Sequence, residues 1–247
     1  MDILEKIFSQ LVPKRKRKEN RTMSVNLTQL EQGFIQFFED QRRSIPKAYG
    51  LGNEIRSLSK DGIRAVIDGK DTSEIKNKIL DLWKQLGKLS LPKTFGAFQD
   101  FRTGQEMVEL LAVDIMFPLV FDGSSTLGSV DWGSMCPEAL DMEEMPQTWL
   151  FGMLDAGSEL SRMVNRYIIS HRKELPREKR MELRERFLRI GQELYDYLDR
   201  FTEITPAVMD AYNQFGFKQA FRSKMGQVRG AIESMEYLLT IAIEHGN

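Results

Sequence analysis

Apolar side chains in this chain recur at helical spacing almost from Leu27 to His245, and nowhere do they alternate steadily with polar ones. Leu27, Leu30, Phe34, Phe37 and Phe38 form one stripe. Leu51, Ile55, Leu58 and Val66 form a second, and Ile75, Ile79, Leu82, Trp83 and Leu86 a third. Residues at i, i+3, i+4 and i+7 share one face of a helix, so each stripe predicts an amphipathic helix. Further helices are expected from about Phe95 to Val120, over Thr148–His171, over Arg177–Phe201, and from about Gly216 to His245. A short segment should start at Pro206 behind Thr205, a residue type suited to capping. Residues 122–146 hold Gly123, Ser124, Ser125, Gly128, Gly133, Pro137 and Pro146, and read as a turn-rich connection. A sheet needs period-two alternation between turn signals, and none is present. The expectation is all-α: one bundle of about seven helices over residues 23–247.

Composition narrows the classes. The longest apolar run, Ile115 to Phe121, is interrupted by Pro118 and falls far short of the ~20 residues that span a bilayer. No membrane association is expected. The opening residues Met1 to Lys6 lack the basic-then-apolar order of a secretory signal. Cys136 is the single cysteine, which excludes an internal disulfide and any cysteine-based zinc cluster. These features point to a reducing, cytoplasmic compartment. Residues 1–22 read as a flexible basic arm: positions 13–22 carry six basic side chains and one acidic, although the chain as a whole is −1. Such a run attracts nucleic acid, acts as a localisation signal, or is a solvated tail with no specific partner.

Two pairs of carboxylates carry the most chemistry. Glu106 and Glu109 are three residues apart, Asp155 and Glu159 four, and both pairs sit in apolar helical stretches where an unpartnered acid is costly to bury. Two such helices packed antiparallel would bring four oxygen ligands around one hard cation, Mg²⁺ or Mn²⁺. The competing reading is a solvated face laced with ion pairs. Basic residues share these faces: Arg162 and Arg166 continue the Asp155/Glu159 stripe, and Arg56, Lys60 and Arg64 repeat every four residues elsewhere. They suit either exposed ion pairs or phosphate contacts beside a nuclease centre, and spacing alone does not choose. The only histidines, His171 and His245, lie near helix ends, which leaves no histidine cluster for zinc and no Ser-His-Asp arrangement. Glycine signatures for nucleotides are missing.

The segment Gln105-Glu106-Met107-Val108-Glu109 resembles the Gln-Glu-Tyr-Val-Glu motif of the translin-associated factor X branch of the translin family. Leu154 to Met163 is similar to that branch's Asp-x-x-Gly-Glu-Leu-x-Arg-Met and to translin's Ser-Glu-Leu-Ser-Arg-Leu. The last helix, from Phe221-Arg222-Ser223-Lys224-Met225 to His245-Gly246, is similar to the family's final helix. The order of helices also fits, so the resemblance covers roughly residues 25–246. The resemblance implies a seven-helix translin-like protomer in a closed homo-oligomer, often an octamer, with nucleic acid inside and a second family subunit sometimes present. It implies Mg²⁺-dependent endoribonuclease activity on single-stranded RNA, with Glu106, Glu109 and Asp155 as catalytic metal ligands and Glu159 completing the set. The alternative it offers is the translin branch, which binds single-stranded RNA or DNA without cutting. Arg56, Lys60, Arg64, Arg162 and Arg166 would then hold the nucleic-acid backbone. The chain departs from the pattern at Met107, where the family has tyrosine, and at Asn165, one residue early, which leaves the roles of Asn165 and Arg166 open.

Overall fold

A computed structural model of the protein describes residues 27–123, 126–132, 146–204 and 217–245, and all its regular elements are helical. Six α-helices follow one another: α1 Leu27–Ile67, α2 Ser73–Gly87, α3 Lys93–Asp122, α4 Pro146–Ser170, α5 Arg177–Ile204 and α6 Phe217–His245. One turn of 3₁₀-helix, Leu127–Ser129, follows α3. The all-α class is as expected. The expected seven helices become six among the described residues, because the first two apolar stripes lie on a single 41-residue helix that runs through Pro46. A proline inside a helix costs ~3 kcal/mol. Ala48, Leu51 and Ile55, just beyond it, are buried, and each large side chain so buried returns ~1.5–3 kcal/mol. Packing outweighs the break. The segment expected at Pro206 and the basic arm 1–22 lie outside the described residues.

The described residues divide into two units, one ending at Asp40 and one starting at Gln41. In the first, the described stretch of α1 exposes Phe34 (60%), Phe37 (50%) and Phe38 (66%). The second contains the core. Along α1 and α2 the contacts run in opposite senses, with Gln41 donating to the Ser90 carbonyl at 3.3 Å and Lys78 pairing with Glu54 at 3.0 Å. Asp114 of α3 joins α2 to the bundle, accepting from Thr72 at 3.1 Å and from Lys76 at 2.6 Å.

α3 and α4 are parallel. Phe101 meets Phe151 at 5.3 Å, Gln105 reaches Asp155, and Phe121 meets Tyr167 at 4.8 Å, so contacts climb both helices together. This corrects the antiparallel arrangement expected for the two acidic helices. A short loop forces antiparallel neighbours, but the 30-residue α3 is about 45 Å long and the connection 123–145 is long enough to carry the chain back past it. α5 then returns antiparallel, with Arg177 against Ala242 at one end of α6 and Gly191 against Ile232 further along. α6 runs parallel to α4, with Phe221 near Phe151 and Val228 near Gly157.

The start of the long connection is fastened to α5. α3 stops at Gly123, whose left-handed conformation (φ 79°) closes the helix through an N–H bond to the Leu119 carbonyl at 3.3 Å. No basic residue lies in the last turn of α3. Arg186 and Arg189 of α5 serve that end instead, donating to the Phe121 and Gly123 carbonyls. Glu193 accepts the Leu127 N–H at 2.8 Å, which fixes the 3₁₀ turn.

Gly152 lets α3 and α4 approach closely. A Cβ there would stand 2.5 Å from the Val108 Cβ and 2.9 Å from the Gln105 carbonyl oxygen, and neither atom can swing away. Gly152→Ala should therefore separate the two helices and lower stability by about 1–3 kcal/mol in urea unfolding. Wild-type stability for this variant would show that the helices yield freely here.

Candidate functional site

Glu106 and Glu109 sit between buried neighbours on α3: Met107, Val108 and Leu110 are almost fully enclosed. On α4, Leu154, Ala156 and Leu160 are buried in the same way around Asp155 and Glu159. The four acids are themselves only partly covered, on the shoulders of these apolar faces. Parallel packing with an offset of 50 residues, set by Gln105 and Asp155, puts Glu109 level with Glu159 and Glu106 near Asp155. The sequence thus brings both pairs to one place by a route other than the expected one.

Their proximity shows in the Glu109 carboxyl, which is pushed up to about 8, first by burial and then by the negative charges of Asp155, Glu106 and Glu159. Arg162 opposes the shift without cancelling it. Near neutral pH the Glu109 carboxyl therefore keeps its proton most of the time. Four acids crowd one partly desolvated region, and the positive charge there is insufficient to ionise all of them.

Two cations reach into the cluster. Lys224 of α6 pairs with the Asp155 carboxylate through Nζ and Oδ1, while Gln105 donates from Nε2 to Oδ2. Both partners of the ion pair are well covered, with 23% and 20% of their side chains exposed, and the Lys224 ammonium lies 5.9 Å from the Phe151 ring centroid. Arg162 pairs with Glu159 from three residues further along α4, but its own side chain is 71% exposed. Exposed pairs of this kind contribute ~0–1 kcal/mol. The Asp155–Lys224 pair is the firmer of the two.

The donor set fits a hard divalent cation in kind: four carboxylates and an amide oxygen, with no soft ligand. Their present arrangement does not close on one. Among the described residues no three acidic, histidine or cysteine side chains stand close enough together to hold a metal ion. Lys224 and Gln105 occupy both oxygens of Asp155, and Arg162 occupies Glu159. A cation entering here would compete with Lys224 for Asp155.

The basic residues singled out in the sequence scatter. Only Arg162 shares the field of the acids. Arg166 acts on Asp68, beyond the end of α1, where it adds to the effect of Lys70 in holding that carboxyl below its usual value. On α1, Arg64 pairs with Asp61 at 3.0 Å and Arg56 bonds to Asn53 and the Gly52 carbonyl, each within its own helix. Lys60 is exposed on the same helix. Asn165 is partly covered. His171 stacks on Tyr167 with ring centroids 4.3 Å apart, and its Nδ1 lies 3.0 Å from the Tyr167 carbonyl. Lys224 and Gln105 are the functional candidates that spacing missed. The Asp155–Lys224 contact joins residues 69 apart in sequence, and no local pattern signals it.

The chain has no transmembrane segment of helical type among the described residues: no helix there is long and apolar enough to cross a membrane. In comparisons with known proteins, no family model, no curated protein and no solved structure matches this chain.

Proposed function

We propose that this protein is a divalent-cation-dependent endoribonuclease acting on single-stranded RNA. The observation that carries the reading is the gathering of Glu106, Glu109, Asp155 and Glu159 into one partly buried region, where burial first and the neighbouring negative charges second push the Glu109 carboxyl up to about 8. A structural ion-pair network balances its charges, whereas this one is short of positive charge. The resemblance of the two acidic motifs to the translin-associated factor X branch supports the same assignment. Glu106, Glu109, Asp155 and Glu159 would hold the cation, Mg²⁺ or Mn²⁺, which supplies Lewis acidity to a phosphate oxygen and to the attacking water. Lys224, freed from Asp155, stays within reach as a cation for the scissile phosphate, and Arg162 is exposed enough to do the same. Gln105 keeps Asp155 oriented through its second oxygen.

Assembly belongs to the same proposal. The exposed Phe34, Ile35, Phe37 and Phe38 are more apolar surface than a lone helix segment tolerates in water. A closed homo-oligomer, octameric by resemblance and open to a second translin-like subunit, would cover it and restrict access to unpaired strands. A second reading, a shell that binds single-stranded RNA or DNA without cutting, is favoured by one observation. Asp155 and Glu159 already have cationic partners, so the cluster holds together without metal.

Cleavage of an unstructured RNA, followed with Mg²⁺ or Mn²⁺ and again with a chelator, separates the two. Cutting only in the presence of the cation supports the nuclease. Binding without cutting under both conditions supports the shell.

A further inference from the structure

At the start of α5 stand three arginines that, among the described residues, pair with no carboxylate. Arg177, Arg180 and Arg184 fall at i, i+3 and i+7, on the flank of α5 that faces α6, the flank that also carries Gly191 against Ile232. Arg177 donates to the Ala242 carbonyl at 2.6 Å and so fastens the start of α5 to the last turns of α6. The Nε atoms of all three arginines are buried and make no hydrogen bond among the described residues. Of the acids on this stretch of α5, Glu178 and Glu185 are exposed, and Glu182 is taken on the other flank by Lys179 and Arg186. Among the described residues no carboxylate pairs with Arg180 or Arg184.

Three costs fall on this row together. The start of a helix carries the positive end of its dipole, where cations are disfavoured. Arg180 and Arg184 are like charges four residues apart. Burial and the Arg180 charge both hold the Arg184 guanidinium below its ordinary value, and no acid among the described residues counteracts them. The carbonyl end of α6 accounts for Arg177, as a cation at a helix C-terminus. It does not account for Arg184, two turns further along α5.

We propose that Arg177, Arg180 and Arg184 form a phosphate-binding seam between the start of α5 and the end of α6. Guanidinium groups match phosphate oxygens as two-pronged donors. Neighbouring positions on such a row stand roughly 5–6 Å apart. A row of three suits a chain of phosphodiesters better than a single ion, so single-stranded RNA is the expected source, with free phosphate as the other. The seam owes nothing to the acidic cluster, and either can fail without the other.

The test uses the full chain in a chelator, so that no cutting occurs. A fluorescent single-stranded oligoribonucleotide is titrated over a range of salt concentrations, and inorganic phosphate is compared with chloride at equal ionic strength by thermal melting. Arg180→Gln/Arg184→Gln should weaken RNA binding about tenfold and flatten the slope of log K against log salt by about 1.4, because two phosphates of the single strand are no longer neutralised. Arg184→Gln alone should give half that change in slope, and Arg180→Lys/Arg184→Lys should keep the slope with weaker binding. Neither glutamine variant should melt lower than wild type without ligand, since each removes desolvated, unpaired charge. If phosphate raises the melting temperature of wild type but not of the double glutamine variant, while RNA binding is unchanged, the seam is a free-phosphate site. Wild-type behaviour of the variants towards both probes overturns the proposal.

Discussion

Asp155→Asn should leave a folded protein that cuts RNA at least about 100-fold more slowly than wild type, at saturating Mg²⁺. Asp155 is where α3, α4 and α6 meet, through Gln105 and Lys224. Asparagine keeps the shape and one oxygen but presents an amide where the second oxygen stood. One of the two donors, Gln105 or Lys224, then loses its acceptor, at a cost of about 1–3 kcal/mol. The leucines and alanine around the position stay packed, so the fold should survive. The loss of activity must therefore exceed anything the loss of stability explains. Urea unfolding and single-turnover cleavage on one preparation check both halves. Cleavage that falls only in step with stability would make Asp155 a structural residue.

Glu109→Gln should stabilise the protein in the absence of metal, and by more as pH rises. The Glu109 carboxyl has its folded-state value at about 8 against an ordinary 4.5. Below 4.5 it is protonated whether the chain is folded or unfolded, and it costs nothing. As pH rises from 4.5 to about 8 the unfolded chain releases the proton while the folded one keeps it, so stability is lost across that window. Glutamine has the same shape and never ionises. The gain of the variant should be near zero at pH 4.5, grow steadily, and level off above pH 8. The shift sets an upper limit of about 5 kcal/mol, and rearrangement of the cluster should reduce the gain to about 2 kcal/mol. Melting temperatures at a series of pH values in a chelator measure it. With saturating Mg²⁺ the order should reverse, since the cation stabilises only the chain that can bind it. A gain independent of pH would mean that Glu109 ionises normally.

The sequence made the helices legible because their apolar faces are long and regular. Ile79, Leu82 and Leu86 are buried as their spacing requires, and so are Leu51, Ile55 and Val66. Spacing overcounts the helices at α1, where Phe34–Phe38 and Leu51–Val66 look like separate stripes yet share one helix across Pro46. Helix direction is not legible for another reason: periodicity fixes which face is buried but not which way the neighbour runs, and the connection 123–145 admits either sense. The four acids were legible as pairs on helix faces. Their company was not, because Lys224 comes to Asp155 through the packing of α6 on α4. Arg177, Arg180 and Arg184 were hidden in a stretch that alternates in charge, Arg-Glu-Lys-Arg-Met-Glu-Leu-Arg. Glu182 has partners there and Arg184 has none among the described residues, a difference only burial and direction reveal.

Calorimetric titration of Mn²⁺ into the protein near pH 7, in two buffers of different ionisation heat, tests the acidic site most directly. A cation held by these carboxylates competes with Lys224 at Asp155 and takes the place of the proton on Glu109. The account predicts one cation per protomer, a proton released on binding and so a heat that depends on the buffer, and loss of both signals in Asp155→Asn. No binding, or binding that Asp155→Asn leaves unchanged, would contradict it.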